Sequence, residues 1–464
     1  MNSNRNIALP PLFLDKFRSL IPPDEFGAFE AALDGTPVSG LRVNTLKAGV
    51  EAFTKLAPFP LGEHVPWCPQ SFYLPTGVRV GQHPYHAAGA YYLQDPSAML
   101  PAQLLDPLPG EWVLDLSAAP GGKTTQMAAL MQGKGLLVAN EIKNKRIGHL
   151  IQNVERWGAG NVLITNESPE RLADTFGAVF DKVLVDAPCS GEGMFRKDQG
   201  ARAEWSQEMV EGCAVRQKNI LALAVKLVRP GGRLLYSTCT FSAEEDEGVI
   251  DTILRDNPDL SVVEVNRTHG FDPGEPGWIG ADPSLRGAVR LFPHHMDGEG
   301  HFACLMQKAG KAPAERNLGR RLGEPNRQQR TLWQAFCAEN LTEELNPERV
   351  SVVGDRLYYL PQELPPLGNL RIGQHGVWLG NIKKDRIEPA HGLALFLPKG
   401  AFARSIDLAH NSEEVKAYLR GEVLEGDGNG WAVVCVDGYP LGWGKLVQGQ
   451  VKNHYPRGWM QLGG

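Results

Sequence analysis

The chain contains no apolar run near the ~20 residues that a membrane-crossing helix needs. Its first residues, Met1-Asn2-Ser3-Asn4-Arg5-Asn6, lack the apolar stretch of a secretory signal. A cytoplasmic location with no membrane partner is expected. Cysteine is sparse: Cys68, Cys189, Cys213, Cys239, Cys304, Cys337 and Cys435 are odd in number and scattered, with no Cys-x-x-Cys pair. That pattern argues against both a disulfide framework and a zinc knuckle, so no metal is expected. Positive charge is not in excess either, with 47 Lys+Arg against 53 Asp+Glu and a net charge of −6. A protein that grips nucleic acid over its whole surface is excluded, and any such contact must come from local patches. One stretch stands out at 311–330, with Lys311, Arg316, Arg320, Arg321, Arg327 and Arg330 against Glu315 and Glu324. A contact surface and a solvated linker explain it equally well.

Internal repeats and biased tracts are also missing from a composition that is 42% hydrophobic and 22% charged. A globular chain of 464 residues is too long for one ordinary domain. Short apolar runs with little polar alternation, which suit parallel strands buried on both faces, occur at Trp112–Leu116, Leu136–Asn140, Asn161–Thr165, Lys182–Asp186 and Arg233–Ser237. The spacers suit crossover helices, which makes a Rossmann-like, doubly wound α/β sheet the expected core. Ser261–Val265 and His301–Met306 read as further edge strands, the latter antiparallel. The preceding region, rich in proline around Pro58 to Pro84, carries strand-like Leu41-Arg-Val-Asn-Thr-Leu46, whose Arg42 and Asn44 are placed to face a partner. After Ala309-Gly-Lys-Ala-Pro313 the chain reads as a helix over Leu332–Leu341, then as a β-rich module closing with a hairpin that turns at Asp437-Gly438. The expected segments are an N-terminal α+β domain at 1–92, the core at 93–309, a basic linker at 310–330, an intermediate region at 331–390 and a final module at 391–464.

The first core strand runs into Ser117-Ala118-Ala119-Pro120-Gly121-Gly122-Lys123, a small-residue loop that opens a helix. Such a loop exposes backbone N–H groups to a ligand. A phosphate-binding P-loop fails because the glycine required five positions before Gly122 is Ser117, and the Gly-x-Gly-x-x-Gly of a dinucleotide site is absent. An S-adenosylmethionine site fits, since Glu141 ends the second strand about twenty residues on and an acid there accepts ribose hydroxyls.

The fourth strand ends in Asp186-Ala-Pro-Cys-Ser-Gly-Glu-Gly-Met-Phe195, and the fifth in Tyr236-Ser-Thr-Cys-Thr240. Adjacent strands in this topology place Cys189 and Cys239 on neighbouring loops beside the cofactor loop. These two cysteine loops resemble those of cytosine-C5 methyltransferases, and the resemblance implies that a thiolate adds to carbon 6 of a cytosine and so activates carbon 5 toward a methyl sulfonium. Asp186 suits the cytosine ring nitrogen or amino group, protonated if it faces the nitrogen. Lys123 suits a contact to the same base or a role in lowering a thiol pKa. Ser242-Ala-Glu-Glu245 fits a capping box whose helix dipole favours a thiolate at Cys239, opposed by the acids from Glu244 to Glu247. The residues alone leave the order of the two cysteines open.

From Leu114 to Cys239 the sequence resembles the RNA 5-methylcytosine methyltransferase (NSUN-type) family, and across the chain its bacterial RsmF-like branch, which acts on 16S ribosomal RNA. The resemblance rests on Ala118-Ala-Pro-Gly-Gly-Lys123, Asp186-Ala-Pro-Cys-Ser-Gly-Glu-Gly193, Ser237-Thr-Cys239, Leu41-Arg-Val-Asn-Thr45 and Tyr91-Tyr-Leu-Gln-Asp-Pro-Ser97. It implies attack by Cys239 and product release aided by Cys189, although in related DNA cytosine methyltransferases the Pro-Cys cysteine attacks. It also implies S-adenosylmethionine bound at residues 117–123 and by Glu141, RNA binding by the N-terminal domain, and a PUA-like RNA-binding tail. The family's aspartate after the third strand is missing from Thr165-Asn-Glu-Ser-Pro-Glu170. Ser168 falls at its spacing, and Asn166 is the better polar substitute. Arg146 suits a role supporting Glu141 or an ordinary surface charge. The expected substrate is small-subunit ribosomal RNA, and the expected state a monomer. The alternatives are a transfer RNA methyltransferase, a catalytically inactive RNA-binding assembly factor, and an enzyme methylating amino groups.

Overall fold

A computed structural model describes residues 7–461 apart from Thr268, Ala314, Arg320 and Arg321. After helices Pro11–Arg18 and Pro23–Leu33 comes an antiparallel sheet of β1 (Gly40–Val43), β2 (His64–Val65), β3 (Cys68–Tyr73) and β4 (Tyr91–Gln94), in the order β2-β3-β1-β4. The core strands are β5 (Trp112–Asp115), β6 (Leu136–Asn140), β7 (Val162–Thr165), β8 (Phe180–Asp186) and β9 (Val228–Thr238), followed by β10 (Leu260–Val262), β11 (Asp272–Pro273), β12 (Val289–Leu291) and β13 (His301–Lys308). β7-β6-β5-β8-β9 pair in parallel, and β13 adds to β9 antiparallel, as its apolar run predicts. Every residue of β5, β6 and β7 is buried. Helices on both faces leave no solvated side, which is why these strands read as unbroken apolar runs.

The tail contains β14 (Val350–Val353), β15 (Arg356–Tyr359), β16 (Ile372–Gln374), β17 (Val377–Ile382) and β18 (Ile387–Pro389). It ends in a five-stranded sheet of β19 (Ser405–Leu408), β20 (Leu424–Glu425), β21 (Gly430–Val436), β22 (Tyr439–Val447) and β23 (Gln450–Asn453). β21 and β22 form the expected hairpin, with Asp437 at φ 44° and Gly438 at φ 86°. Positive φ at both turn positions is what a two-residue hairpin turn needs. β16 leaves the tail to pair with β7 of the catalytic sheet, Ile372 opposite Thr165. Gly158 ends helix Asn144–Trp157 at φ 73°, and a Cβ there would sit 2.5 Å from the carbonyl of Leu395, so only glycine permits the tail to pack this closely. The sheet β1–β4 and the terminal sheet share one apolar core, in which Leu41, Val43 and Phe53 meet Val434, Leu441 and Val451. Tyr85 donates across this junction to Asp437 at 2.8 Å.

Arg42 and Asn44 do not face an outside partner. Both are fully buried, because β1 lies against the core sheet's first loop, and all their side-chain donors but the Arg42 Nη1 find partners. Asn44 donates to the carbonyls of Gly89 and Trp157 at 2.8 Å. Arg42 donates to the Gly122 carbonyl at 2.9 Å and to the Thr125 hydroxyl at 2.8 Å, and its guanidinium lies 4.7 Å from the Trp157 ring centre. Arg42→Ala removes this packing and leaves buried acceptors unpaired, so a loss of about 3 kcal/mol is expected in urea unfolding. A midpoint unchanged from wild type would contradict the role described. Of the basic stretch, Arg316 turns inward, bonding Asp181 at 2.7 Å and stacking over Trp112, whereas Lys311, Arg327 and Arg330 are exposed, Arg330 pairing with Glu324 at 3.3 Å on the surface. Arg320 and Arg321 lie outside the described residues.

Candidate active site

Beyond the carboxyl ends of β5, β8 and β9 lies a cavity of about 340 Å³ lined by, among others, Tyr92, Asp95, Asp115, Lys123, Cys239 and His301. β5 and β8 flank the topological switch point, where a doubly wound sheet opens a crevice. The small-residue loop forms one wall through Ser117, Ala118, Ala119, Pro120, Gly122 and Lys123. Gly121 caps the following helix at φ 115°, a conformation glycine tolerates. Asp115 accepts from Thr124 at 2.6 Å through one oxygen, while the other is buried without a partner, and burial lifts its pKa to about 7.

Glu141 follows β6, one strand further from Cys239, and is not among the residues lining this cavity. Its carboxylate accepts from the Lys143 N–H at 2.7 Å and pairs with Arg146 at 3.4 Å. Arg146 also donates to the Ala119 carbonyl, so it ties the acid to the loop. Asn166 donates its side-chain amide to the carbonyls of Glu141 at 2.6 Å and Ile142 at 3.3 Å. Its side-chain N–H groups therefore buttress the turn that carries Glu141. Ser168 caps helix Pro169–Phe176.

Asp186 ends β8 with one oxygen accepting from Ser237 at 2.8 Å and the other paired with Lys123 at 2.7 Å. Burial opposes its ionisation, but Lys123 and His301 hold its pKa below the usual carboxylate range. The resting group is thus an anion, not the protonated donor one sequence reading allowed. Burial likewise opposes the Lys123 ammonium, which Asp186 and Cys239 lift above its ordinary value.

The two sulfurs lie 3.2 Å apart, unbonded, and the Cys239 N–H points at the Cys189 sulfur at 3.4 Å. Cys239 lines the cavity and Cys189 does not. Its hydrogen bond to Cys239, then burial, push the Cys189 thiol well up, so it keeps its proton.

The expected capping box at Ser242 is absent. The Ser242 hydroxyl donates to Glu192 at 2.6 Å, and the helix begins at Glu247 with no side-chain cap. The buried Glu192 needs donors more than the helix end does. It also accepts from Thr240 at 2.7 Å, the Phe241 N–H at 3.0 Å and the Trp205 indole at 2.9 Å, stapling the two cysteine loops together. The helix-dipole argument for Cys239 therefore falls away. The neighbouring acids are each engaged elsewhere: Glu244 with Lys16, Glu245 with Ser190 and Gln217, Asp246 with Thr238, and Glu247 with Arg290.

Sequence reasoning passed over His301, Asp95, Ser237 and Glu192. Asp95 sat inside a motif already singled out, and it pairs with Lys197 at 2.5 Å. His301 opens an anticipated strand, but only the β9–β13 register reveals its position. Phe302 pairs with Thr238 as the last pair of that ladder, and His301 and Cys239, the next residues beyond it, both line the cavity. Its Nε2 is buried without a partner, and burial, then Lys123, lower its pKa to about 4. Among the described residues, Glu25, His294 and His295 bring ligand-type atoms within 4.8 Å of one another, outside this cavity.

The description "16S rRNA methyltransferase RsmB/F" matches residues 102–307, and "N-terminal domain of 16S rRNA methyltransferase RsmF" matches 9–96. The RsmF first C-terminal domain matches 335–397, and the RsmF PUA domain 405–461. Ribosomal RNA small subunit methyltransferase F of Erwinia tasmaniensis is 32% identical, with 98% of this chain and 98% of that protein covered. Its counterpart from Vibrio vulnificus is 33% identical, covering 97% and 98%. Among solved structures, a methyltransferase homolog protein from Pyrococcus horikoshii matches with a TM-score of 0.56 and 29% identity, over 65% of this chain and all (100%) of that one. NSun6 from Pyrococcus horikoshii, solved with SFG, shares the fold at a TM-score of 0.58 and 23% identity, over 66% and 100%.

Proposed function

Since this chain belongs to the RsmF family of 16S ribosomal RNA methyltransferases, we propose that it methylates carbon 5 of a cytosine in small-subunit ribosomal RNA, with Cys239 as the covalent nucleophile. The observation that carries this reading is the convergence of Cys239, the Lys123–Asp186 pair and the small-residue loop on one cavity, with the Cys189 thiol behind Cys239.

The residues fit S-adenosylmethionine. Loop 117–123 exposes backbone to the cavity, the unpartnered oxygen of Asp115 is a ready acceptor for an ammonium group, and Arg146 and Asn166 brace Glu141 as an acceptor for ribose hydroxyls. The cofactor, when bound, supplies an electrophilic methyl group. Cys239 adds to carbon 6 of the cytosine and turns carbon 5 into a nucleophile. Asp186, ionised, accepts from the exocyclic amino group, and Lys123 donates to the base, offsetting charge that builds on the ring after addition. Cys189, still protonated, hydrogen-bonds the departing Cys239 sulfur as the methylated base is released. A target inside structured RNA has to be exposed or flipped to reach this cavity. The N-terminal and PUA domains serve to hold the RNA while that happens.

Incubation with S-adenosylmethionine and 5-fluorocytosine ribosomal RNA is expected to yield a protein–RNA adduct stable to denaturant, because fluorine cannot leave as a cation. Absence of any adduct while ordinary RNA is methylated would end the covalent reading. Bisulfite sequencing of ribosomal RNA from a strain lacking the protein identifies the cytosine. Unchanged small-subunit methylation would redirect the substrate to transfer RNA.

A further inference from the structure

Elimination of the product needs a base for the carbon-5 hydrogen, and the thiol and carboxylate already assigned do not provide one. Cys189 holds its own proton, hydrogen-bonded to Cys239, and does not reach the cavity. Asp186 is held by Lys123 and Ser237 and is already assigned to the exocyclic amino group. Stereochemistry narrows the search. With the Cys239 sulfur covering one face of the ring, the methyl group reaches carbon 5 from the other, which leaves the carbon-5 hydrogen on the Cys239 face. The base therefore belongs beside Cys239.

We propose that His301 is a catalytic residue, the general base that removes the carbon-5 proton; this rests on the covalent cytosine reading above. The β9–β13 ladder ends at Phe302–Thr238, and His301 and Cys239 are the next residues beyond that pair on the two chains. Both side chains line the one cavity. His301 is 4% exposed, and its Nε2 has no hydrogen-bond partner in the protein. A buried nitrogen without a partner is costly unless the substrate supplies one. Burial and the nearby Lys123 keep the ring neutral at physiological pH, which leaves a nitrogen lone pair free, and Asp186 favours the imidazolium once formed.

The step balances without a further reagent. The carbon-5–hydrogen bond breaks and its proton goes to Nε2. Its electron pair re-forms the carbon-5–carbon-6 double bond. The carbon-6–sulfur bond breaks, and its pair returns to Cys239 as a thiolate hydrogen-bonded by Cys189. The imidazolium then releases its proton to water.

The test uses the full-length enzyme, S-adenosylmethionine and a small-subunit ribosomal RNA transcript carrying [5-³H]cytidine. His301→Phe keeps the buried ring and is expected to slow tritium release ~10²–10⁴-fold, while a methylated protein–RNA adduct accumulates in a single turnover. In His301→Ala, added imidazole restores tritium release. If the phenylalanine variant does not fold, His301→Asn is read for the same two quantities. Tritium release at the wild-type rate, loss of methyl transfer before any adduct forms, or failure of imidazole to restore release would each overturn the assignment. Failure of the parent reading shows separately, as a wild-type enzyme that forms no adduct with 5-fluorocytosine RNA.

Discussion

Replacing Cys239 with alanine is expected to lower methyl transfer to RNA by ~10⁴-fold or more, with RNA association retained. In the proposed mechanism this sulfur makes carbon 5 reactive, and no other thiol lines the cavity. Cys189→Ala is expected to behave differently. It leaves the nucleophile in place but removes the S–H that stands 3.2 Å from it, so a covalent protein–RNA complex should persist on a denaturing gel. The pair of variants fixes the order of action. A crosslink from Cys239→Ala, with none from Cys189→Ala, would reverse the roles. Activity surviving in Cys239→Ser would point instead to methylation of an amino group, which needs no thiol.

The largest expected loss of stability comes from Arg290→Met. Arg290 is 1% exposed, and its guanidinium contacts Asp246 at 3.3 Å and Glu247 at 2.9 Å, both carboxylates fully buried. It also donates to the Phe241 carbonyl at 2.8 Å. Methionine fills much of the space but strands two carboxylates in the interior, at a cost of about 3–5 kcal/mol, a large share of a typical total stability of ~5–15 kcal/mol. The sign of the pH dependence follows. Burial already pushes the Asp246 carboxyl well up, and removing the guanidinium that holds it down pushes it further. The native variant then holds protons that the unfolded chain releases, so its deficit relative to wild type grows as pH rises above the ordinary carboxylate range and shrinks on acidification. A pH-independent difference in urea unfolding would contradict this account. Activity should fall too, because Asp246 accepts from Thr238 at 2.6 Å, next to Cys239.

Much of the catalytic sheet was legible because its physics is local. A strand buried on both faces is a continuous apolar run, and a backbone that must approach a ligand is built from small residues. Asp186, Cys189 and Cys239 followed from their places at strand ends. What stayed hidden depends on long-range register or on competition between partners. His301 is unremarkable in sequence until β13 is aligned with β9. Arg42 and Asn44 look like surface polar groups until β1 is laid on the loop it braces. Ser242 has the right spacing for a capping box, but the pattern cannot reveal that Glu192, fifty residues earlier, draws its hydroxyl away. The excursion of β16 into the catalytic sheet is equally invisible, since three residues carry no periodicity.

The apolar core shared by the first and last sheets also sets a timetable for biogenesis. Tyr85 and Asp437 are 352 residues apart in the chain, so at ~5–20 residues per second the ribosome needs roughly 20–70 s to complete the second half of that core. Throughout that interval the nascent β1–β4 sheet has one greasy face uncovered. Of these two sheets, the one synthesised first is therefore finished only when the second arrives, and a chaperone covering that face would bridge the interval.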